Sequence, residues 1–253
     1  MAVQPWVQGV VTRIIDETPA TKRFIITVPV LESFDFKPGQ FVTLDLPIHE
    51  KPNKRWRSYS IASRPDGTNS FELVIVLMES GVGTPWLWAN ATIGAELTVR
   101  GPQGVFTLPE TIEKDLYFIC TGTGIAPFRS MAQHILTHSI PHKNIYLIFG
   151  CRKLADGLYI DELKALEKEH PSFHFIPCYS REEKADGITT GYVHPVYEAL
   201  IQKETTTNEA DGMLLPPAAS FYLCGWKNMI DEARQRITAL GYDKKAVHFE
   251  LYG

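Results

Sequence analysis

Two short segments carry residue types whose spacing suits chemistry. The first runs from Arg57 to Ser60 and reads Arg-Ser-Tyr-Ser. An arginine can bind a phosphate through two hydrogen bonds, a tyrosine can lie against a flat ring, and a serine hydroxyl can reach a ring heteroatom. On a strand, Arg57 and Tyr59 share one face, and Ser58 and Ser60 share the other. Without its context, the segment is equally compatible with an edge strand that carries a surface arginine.

The second segment, from Cys120 to Pro127, reads Cys-Thr-Gly-Thr-Gly-Ile-Ala-Pro. It follows an apolar run, and Pro127 suits the first turn of a helix. The glycines allow a tight turn, and the amides at the start of the helix attract a pyrophosphate. Pro127 stands where the full dinucleotide fingerprint has its third glycine, so a structural turn is the alternative. Gly81–Leu87 is a second glycine turn before a short helix, and two such turns suit two nucleotide cofactors.

The elements that must position these segments differ between the two halves of the chain. Short alternating strands and turn signals predict an antiparallel β domain over residues 1–110, either a small barrel or a sandwich. Continuous apolar runs alternating with amphipathic helices predict an α/β domain with a parallel five-stranded sheet over residues 111–253. Residues 203–217 are polar and lack periodicity, which predicts a mobile surface loop. The predicted antiparallel strands are 7–15, 23–28, 41–46, 71–78 and 96–99. The predicted parallel strands are 115–120, 145–149, 173–179, 221–224 and 247–249.

The composition excludes several classes of protein. A net charge of −4 gives no overall positive field to hold a nucleic acid. The longest apolar stretch, residues 73–78, is far short of the ~20 residues that cross a bilayer, and the amino terminus lacks the pattern of a secretory signal. The cysteines lack close pairs, so they predict buried free thiols in a reducing compartment rather than metal or cluster ligands. We therefore expect a cytoplasmic protein.

Three histidines, His134, His138 and His142, recur every four residues, which is the spacing of a metal-binding pair on a helix. Pro141 interrupts the run, and no acidic residue lies between them. We therefore predict a polar helix end at this point and no metal site.

Further motifs follow in a fixed order along nearly the whole chain. They are Arg57-x-Tyr59-Ser60, Gly81-x-x-Thr84-x-x-Leu87, Gly122-Thr123-Gly124-Ile125-Ala126-Pro127-Phe128-Arg129-Ser130, Tyr222-Leu223-Cys224-Gly225-Trp226-Lys227-x-Met229 and Phe249-Glu250-Leu251-Tyr252. This series resembles the plant-type branch of the ferredoxin–NADP+ reductase superfamily. The resemblance implies an FAD-binding β-barrel followed by an NADP(H)-binding α/β domain.

The resemblance also implies a role for each matching residue. Arg57 would bind the FAD pyrophosphate, Tyr59 would lie against the isoalloxazine, and Ser60 would hydrogen-bond near flavin N5. Cys224 would lie beside the nicotinamide, and Tyr252 would stack on the flavin and yield to the nicotinamide. The implied flavin-binding set is Arg57, Ser58, Tyr59, Ser60, Val74, Val76, Gly83, Thr84 and Tyr252. The implied coenzyme-binding set begins with Thr121, Gly122 and Gly124, and the catalytic candidates are Ser60, Cys224, Glu250 and Tyr252.

The choice of coenzyme depends on the 2′-phosphate of NADPH. Ser180 and Arg181 resemble the Ser-Arg pair that binds this phosphate in the family. The later Lys-x-Tyr of the family is Thr190-Gly191-Tyr192 here, so Tyr192 is present and the lysine is missing. Lys227 is the candidate to replace that charge. We expect FAD and NADPH, with NADH and FMN as the alternatives, and Gly253 adds one residue after the family's tyrosine.

We therefore expect a monomeric enzyme that transfers hydride between NAD(P)H and FAD and exchanges single electrons with a carrier such as ferredoxin or flavodoxin. The alternatives are the reductase component of a multicomponent oxygenase, an NAD(P)H:flavin or ferric reductase, and a nucleotide-sensing regulatory subunit. Residues 51–64 contain five basic residues and no acid, namely Lys51, Lys54, Arg55, Arg57 and Arg64. Such a segment suits either an acidic partner or a solvated loop.

Overall fold

The computed structural model describes residues 4–208 and 213–252, which form two compact units. The first unit consists of the described residues up to Leu108 together with Ala126–His138. The second consists of Pro109–Ile125 and the described residues from Ser139 onward. The segment Ala126–His138 thus groups with the β-rich half, although the sequence assigns it to the α/β half. The predicted domain boundary after residue 110 stays a prediction.

Six antiparallel strands form the sheet of the first unit, in the order β4-β3-β6-β1-β2-β5. They are β1 (Trp6–Thr18), β2 (Thr21–Thr27), β3 (Phe41–Asp45), β4 (Trp56–Ser60), β5 (Ser70–Val76) and β6 (Glu96–Gln103). A bridge between Ile61 and Leu73 connects the end of β4 to β5. This contact closes the sheet, so the predicted antiparallel barrel is confirmed.

Alternation along the strands fills the barrel with apolar side chains. Phe24, Ile26, Val42, Leu44 and Val99 are all fully or almost fully buried in one core cluster. Phe24 and Ile26 are two residues apart on β2, and Val42 and Leu44 are two residues apart on β3. Every second side chain of a strand points to the same face, so these residues all point into the barrel. The first helix, α1 (Gly83–Asn90), adds Leu87 to this core.

The second helix, α2 (Ala126–Thr137), belongs to the first unit, and nine of its residues are buried. The ring of Phe128 lies 5.9 Å from that of Phe106, and Met131 approaches Gly39. Gly39 has φ +95°, and a Cβ at this position would overlap the carbonyl oxygen of Phe106 and contact Met131. The turn at Gly39 therefore requires glycine for its backbone conformation and for its close packing.

Six parallel strands form the sheet of the second unit, in the order β10-β9-β8-β7-β13-β14. They are β7 (Asp115–Thr121), β8 (Ile145–Cys151), β9 (Phe173–Tyr179), β10 (Thr189–Thr190), β13 (Ala219–Gly225) and β14 (Val247–Leu251). The predicted number of five strands is one too low. The additional strand, β10, has only two residues, which is too short to show any periodicity. The helices of this unit are α3 (Ile160–Glu169), α4 (His194–Glu204) and α5 (Lys227–Ala239).

The polar stretch at 203–217 contains more structure than the sequence suggests. Two short strands, β11 (Thr206–Thr207) and β12 (Leu214–Leu215), pair in antiparallel fashion there. Residues 209–212 lie outside the described part of the chain, so the expected mobility of this loop stays a prediction. Within residues 4–208 and 213–252, no helix is both long enough and apolar enough to cross a membrane.

The close packing at Gly39 predicts the effect of adding a methyl group there. We expect Gly39→Ala to lower the free energy of unfolding by about 3 kcal/mol, because the backbone is left-handed and the Cβ position is filled. Gly67→Ala is the matched control, since Gly67 has φ +76° and open space at its Cβ position. It should cost about 1 kcal/mol. Urea unfolding of both variants measures the difference, and equal losses would contradict this account.

Candidate functional site

The predicted phosphate-binding arginine lies on β4 as the alternation rule requires. Arg57 and Tyr59 pair with Leu44 and Val42 of β3, so both lie on one face of the sheet. The side chain of Ser58 lies on the opposite face. The predicted arrangement of this segment is therefore confirmed, whereas the cofactor contacts of its residues stay predictions.

Arg57 lies beside the first residue of α1. Its Nη1 donates hydrogen bonds to the carbonyl oxygens of Lys54 (3.1 Å) and Trp56 (2.8 Å). A Cβ at Gly83 would lie 3.0 Å from Nε of Arg57, so the absence of a side chain there gives the guanidinium its space. A guanidinium next to unpaired amides at a helix start is an anion site, and the first turn of α1 contains no acidic residue. This cradle fits a pyrophosphate.

Tyr59 and Ser60 follow on the same strand. Tyr59 packs against the barrel core, and burial raises the pKa of its phenol to about 12, while the nearby Arg57 opposes this shift. The phenol is therefore neutral at ordinary pH, and its ring can lie against a flat ligand. Ser60 is only 4% exposed, and Ser58 hydrogen-bonds to Thr43 (3.1 Å between hydroxyl oxygens).

The end of β5 leads into a groove next to α1. Val74 is buried and Val76 is half-buried, and the following loop is fixed because Thr84 Oγ1 accepts a hydrogen bond from the Met78 amide (2.8 Å). A cavity of about 480 Å³ opens here, lined by Pro19, Ala20, Leu77, Met78, Glu79 and Ser80. The sequence did not indicate this cavity, and Thr84 is connected to it through the hydrogen bond with Met78.

The glycine segment of the second unit lies where the strand order of the sheet reverses. Strands β8, β9 and β10 extend from one side of β7, and β13 and β14 extend from the other. Parallel sheets bind ligands at the carboxyl ends of their strands at such a reversal. Here β7 ends at Thr121, a 3-10 turn covers Gly122–Ile125, and α2 follows. Pro127 lies in the first turn of α2, as predicted.

Missing side chains allow the end of β7 and the turn after it to pack closely against the end of β13. A Cβ at Gly124 would overlap the carbonyl oxygen of Cys224, and a Cβ at Gly225 would overlap Oγ1 of Thr121. That hydroxyl is buried and finds no hydrogen-bond partner among the residues that the structure describes. A buried polar atom without a partner is costly unless a ligand completes its bonding. This end of the sheet therefore fits a nucleotide.

Three of the catalytic candidates lie together at the same end of the sheet. Cys224 on β13 pairs with Glu250 on β14, and the Tyr252 amide donates a hydrogen bond to the Gly225 carbonyl (3.0 Å). Burial, reinforced by Glu250, raises the pKa of the Cys224 thiol well above its usual value, and a hydrogen bond with Tyr252 opposes this. Cys224 is therefore an uncharged thiol. Gly253 lies outside the described residues.

A second cluster lies at the ends of β8, β9 and β10. The Ser180 and Arg181 amides donate hydrogen bonds to the carbonyls of Cys151 (3.0 Å) and Arg152 (2.8 Å). These bonds connect the two loops and bring the exposed Arg152 next to the exposed Arg181. Arg152 was not among the predicted site residues, and only its place shortly after the predicted strand 145–149 could have indicated it. Tyr192 is 73% exposed and follows β10.

The structure does not bring Lys227 to this cluster. Lys227 follows β13, which is separated from β9 by β8 and β7, and its ammonium forms an ion pair with Asp231. Within the basic segment 51–64, Arg55 forms an ion pair with Asp45 (2.7 Å), and Arg64 donates a hydrogen bond to Thr137 (3.4 Å). Asp45 therefore neutralises the charge of Arg55, whereas Arg64 keeps its charge and is held in place by Thr137.

The four cysteines are free thiols, of which Cys120, Cys178 and Cys224 are buried, as predicted. No group of three or more His, Cys, Asp or Glu residues in the described ranges is placed to hold a metal ion. His138 lies beyond the end of α2, and its ring bonds to the carbonyl of His134 (2.9 Å).

Comparison with known proteins identifies both halves. Residues 7–108 match the oxidoreductase FAD-binding domain, and residues 118–235 match the oxidoreductase NAD-binding domain. The chain is 33% identical over 222 residues to ferredoxin–NADP reductase B of Sorangium cellulosum, which covers 87% of each protein. The chain belongs to the ferredoxin–NADP reductase family. It is an NAD(P)H-dependent, FAD-containing oxidoreductase.

Two further proteins show the breadth of what this chain is similar to. A ferredoxin–NADP+ reductase from Neisseria gonorrhoeae, solved with FAD and NADP bound, is 25% identical with a TM-score of 0.79, over 97% of this chain and 98% of that one. The reductase component of propane 2-monooxygenase from Mycolicibacterium goodii is 29% identical over 97% of this chain, which spans 68% of that protein.

Removal of the buried Thr121 hydroxyl should weaken coenzyme binding without lowering the stability of the protein. We expect Thr121→Val to leave the free energy of unfolding unchanged or raise it by up to about 1 kcal/mol, and to raise the KM for NADPH about fivefold. Thr205→Val is the control, because the Thr205 hydroxyl already bonds to the Ile201 carbonyl (2.8 Å). It should lower stability without changing the KM. A destabilised Thr121→Val enzyme with an unchanged KM would contradict the assignment.

Proposed function

We propose that this reductase takes hydride from NADPH onto FAD and passes single electrons to a separate acidic carrier protein such as ferredoxin or flavodoxin. When bound, FAD supplies the chemistry that converts a two-electron donor into a one-electron donor. The observation that carries the proposal is the glycine turn after β7 at the reversal of strand order, with the buried Thr121 hydroxyl at its start.

The residues of the first unit would hold the flavin. Arg57, Gly83 and Thr84 would bind the pyrophosphate at the start of α1, and Tyr59 would lie against the ring system. The buried Ser60 hydroxyl would hydrogen-bond to the ring, with Ser58 and the backbone of Val74 and Val76 alongside. The match of residues 7–108 to the oxidoreductase FAD-binding domain supports FAD over FMN.

The residues of the second unit would hold the nicotinamide nucleotide. Gly122 and Gly124 let the coenzyme approach the backbone, and Thr121 would complete its bonding there. The Cys224 thiol is uncharged, so it can pack against the nicotinamide without attracting water or a counter-ion. Glu250 would fix this end of the sheet, and Tyr252 would cover the flavin and move aside for the coenzyme.

Arg152 and Arg181 support NADPH over NADH. Two guanidinium groups can bind a 2′-phosphate through charge-assisted hydrogen bonds, and NADH has only a hydroxyl at that position. Ser180 and the exposed ring of Tyr192 lie in the same cluster and would bind the adenosine phosphate end. Lys227 would act elsewhere, since its charge is paired with Asp231.

Anaerobic titration of the purified protein tests the reaction and the coenzyme together. We expect a yellow protein whose flavin absorbance is bleached by NADPH at a concentration about a hundredfold below that needed for NADH. Arg181→Ala should remove most of this preference, because it should weaken the binding of NADPH and leave the binding of NADH unchanged. Arg13→Ala, which removes an exposed arginine on β1, is the control. A colourless protein that binds no flavin would overturn the reaction, and equal responses to both coenzymes would overturn only the preference.

The exposed lysines of the basic segment, Lys51 and Lys54, would receive the carrier. They lie at the two ends of the short 3-10 turn that precedes the exposed Trp56, and an aromatic side chain near positive charge suits an acidic protein partner. Arg55 contributes less, because Asp45 already neutralises it.

Charge reversal at Lys54 tests this docking site. Lys54→Glu should slow reduction of ferredoxin or flavodoxin about tenfold at low salt and much less at high salt, because salt screens exposed charges. Ferricyanide reduction should not change. Lys244→Glu makes the same charge change at an exposed position of the second unit and should leave carrier reduction unaffected. Rates that are independent of salt in all three proteins would contradict docking at this segment.

The similarity to oxygenase reductase components supports a second candidate, in which the acceptor is an oxygenase component. The same assay with an oxygenase component in place of the carrier distinguishes the two. The monomeric state and the cytoplasmic location stay predictions.

A further inference from the structure

A buried carboxylate, Glu72 on β5, connects two arginines of the first unit. Nε and Nη2 of Arg23 donate hydrogen bonds to the two carboxylate oxygens of Glu72 (2.9 Å each). Nη1 of Arg129, on α2, donates to Oε1 of the same carboxylate (3.3 Å). Arg129 is only 6% exposed, although arginine is seldom buried without a specific partner.

The Arg129 guanidinium has a second acceptor that Arg23 does not share. Its Nη1 also donates to the carbonyl oxygen of Ala62 (2.8 Å). Ala62 lies two residues after Ser60, and its own amide donates to the Glu72 carbonyl (2.8 Å). Ser63 completes the set, because its hydroxyl accepts a hydrogen bond from the Glu72 amide (3.0 Å).

Hydrogen bonds from several segments therefore hold the chain directly after β4. The Ile61 amide donates to the Gln40 carbonyl (3.0 Å), and Ile61 also bridges to Leu73. Since Ser60 is the last residue of β4, a shift of the backbone at Ala62 would be transmitted over one residue to its hydroxyl. Arg129 donates a hydrogen bond to the carbonyl of Ala62, the residue that follows Ile61.

We propose that Arg129 is a positioning residue for the flavin-binding strand, and that it fixes the Ser60 hydroxyl by holding the Ala62 carbonyl. The inference rests on the proposed function, because it assigns a role at the flavin site of the first unit. Arg129 does not need to touch the cofactor. Its effect on the cofactor comes through the backbone at residues 60–63.

Arg129 could instead only stabilise the first unit, and this alternative makes a different prediction. A variant of Arg23 distinguishes a stabilising role from a positioning role. Arg23→Met and Arg129→Met each leave Glu72 with one arginine, so the carboxylate stays compensated in both variants. Only Arg129→Met also leaves the Ala62 carbonyl without its side-chain donor. Arg23→Met removes two hydrogen bonds to Glu72 and an ion pair with Glu17 (3.3 Å), whereas Arg129→Met removes one contact with Glu72 (3.3 Å) and the donor to the Ala62 carbonyl. Arg23→Met is therefore the larger change to the ion pairs, and only Arg129→Met acts directly on the strand.

The experiment compares Arg129→Met, Arg129→Lys and Arg23→Met with the wild-type holoenzyme. We expect Arg129→Met to raise the Kd for FAD about tenfold and to slow flavin reduction at saturating FAD about tenfold, with the KM for NADPH within about twofold of wild type. Arg129→Lys keeps a donor and should recover part of both losses. Arg23→Met should lower the unfolding midpoint but leave FAD binding and flavin reduction within about twofold.

Equal flavin defects in Arg23→Met and Arg129→Met would overturn the proposal, and so would normal flavin properties in Arg129→Met. If Arg129→Met does not fold, Arg129→Lys decides the test: FAD binding weakened beyond that of Arg23→Met supports positioning, and wild-type binding refutes it. Failure of the proposed function is separate, since it would appear as a wild-type protein that binds no flavin.

Discussion

The first unit depends on the compensation of one buried negative charge. A buried carboxylate left without a compensating charge costs about 3–5 kcal/mol, and Glu72 avoids this cost through Arg23 and Arg129. Arg23 comes from β2, which pairs with β5, and Arg129 comes from α2, so the complete set of contacts forms only when a sheet strand and a helix that are distant in sequence come together. The same carboxylate thereby helps to specify which helix packs against the barrel.

Both nucleotide cradles depend on side chains that are absent. Gly83 leaves room for Arg57, and Gly124 and Gly225 allow the end of β7 and its following turn to pack against the end of β13. A methyl group at Gly124 or Gly225 would overlap the Cys224 carbonyl oxygen or the Thr121 hydroxyl, and one at Gly83 would require the Arg57 side chain to shift. The polar groups next to these glycines, the Arg57 guanidinium and the Thr121 hydroxyl, can therefore point toward a ligand rather than pack among side chains.

Much of the fold could be predicted from local patterns, because strand alternation and helix periodicity are local properties. The strand β9 was predicted with its observed bounds, and Arg57 and Tyr59 were correctly placed on one face. The strand β10 was missed because two residues carry no periodicity. The place of α2 and the pairing of Arg55 with Asp45 were missed because both depend on contacts between segments distant in sequence. Arg152 was missed for the same reason, since the backbone contact that brings it next to Arg181 joins the loops after β8 and β9.

The first unit is not a continuous stretch of chain. Residues 109–125, which belong to the second unit, separate its barrel strands from α2. During synthesis on the ribosome, the strands that carry Glu72 and Ala62 emerge well before Arg129. A barrel that formed before Arg129 was synthesised would contain an interior carboxylate compensated by Arg23 alone, and the complete unit can form only after translation has passed through residues 109–125.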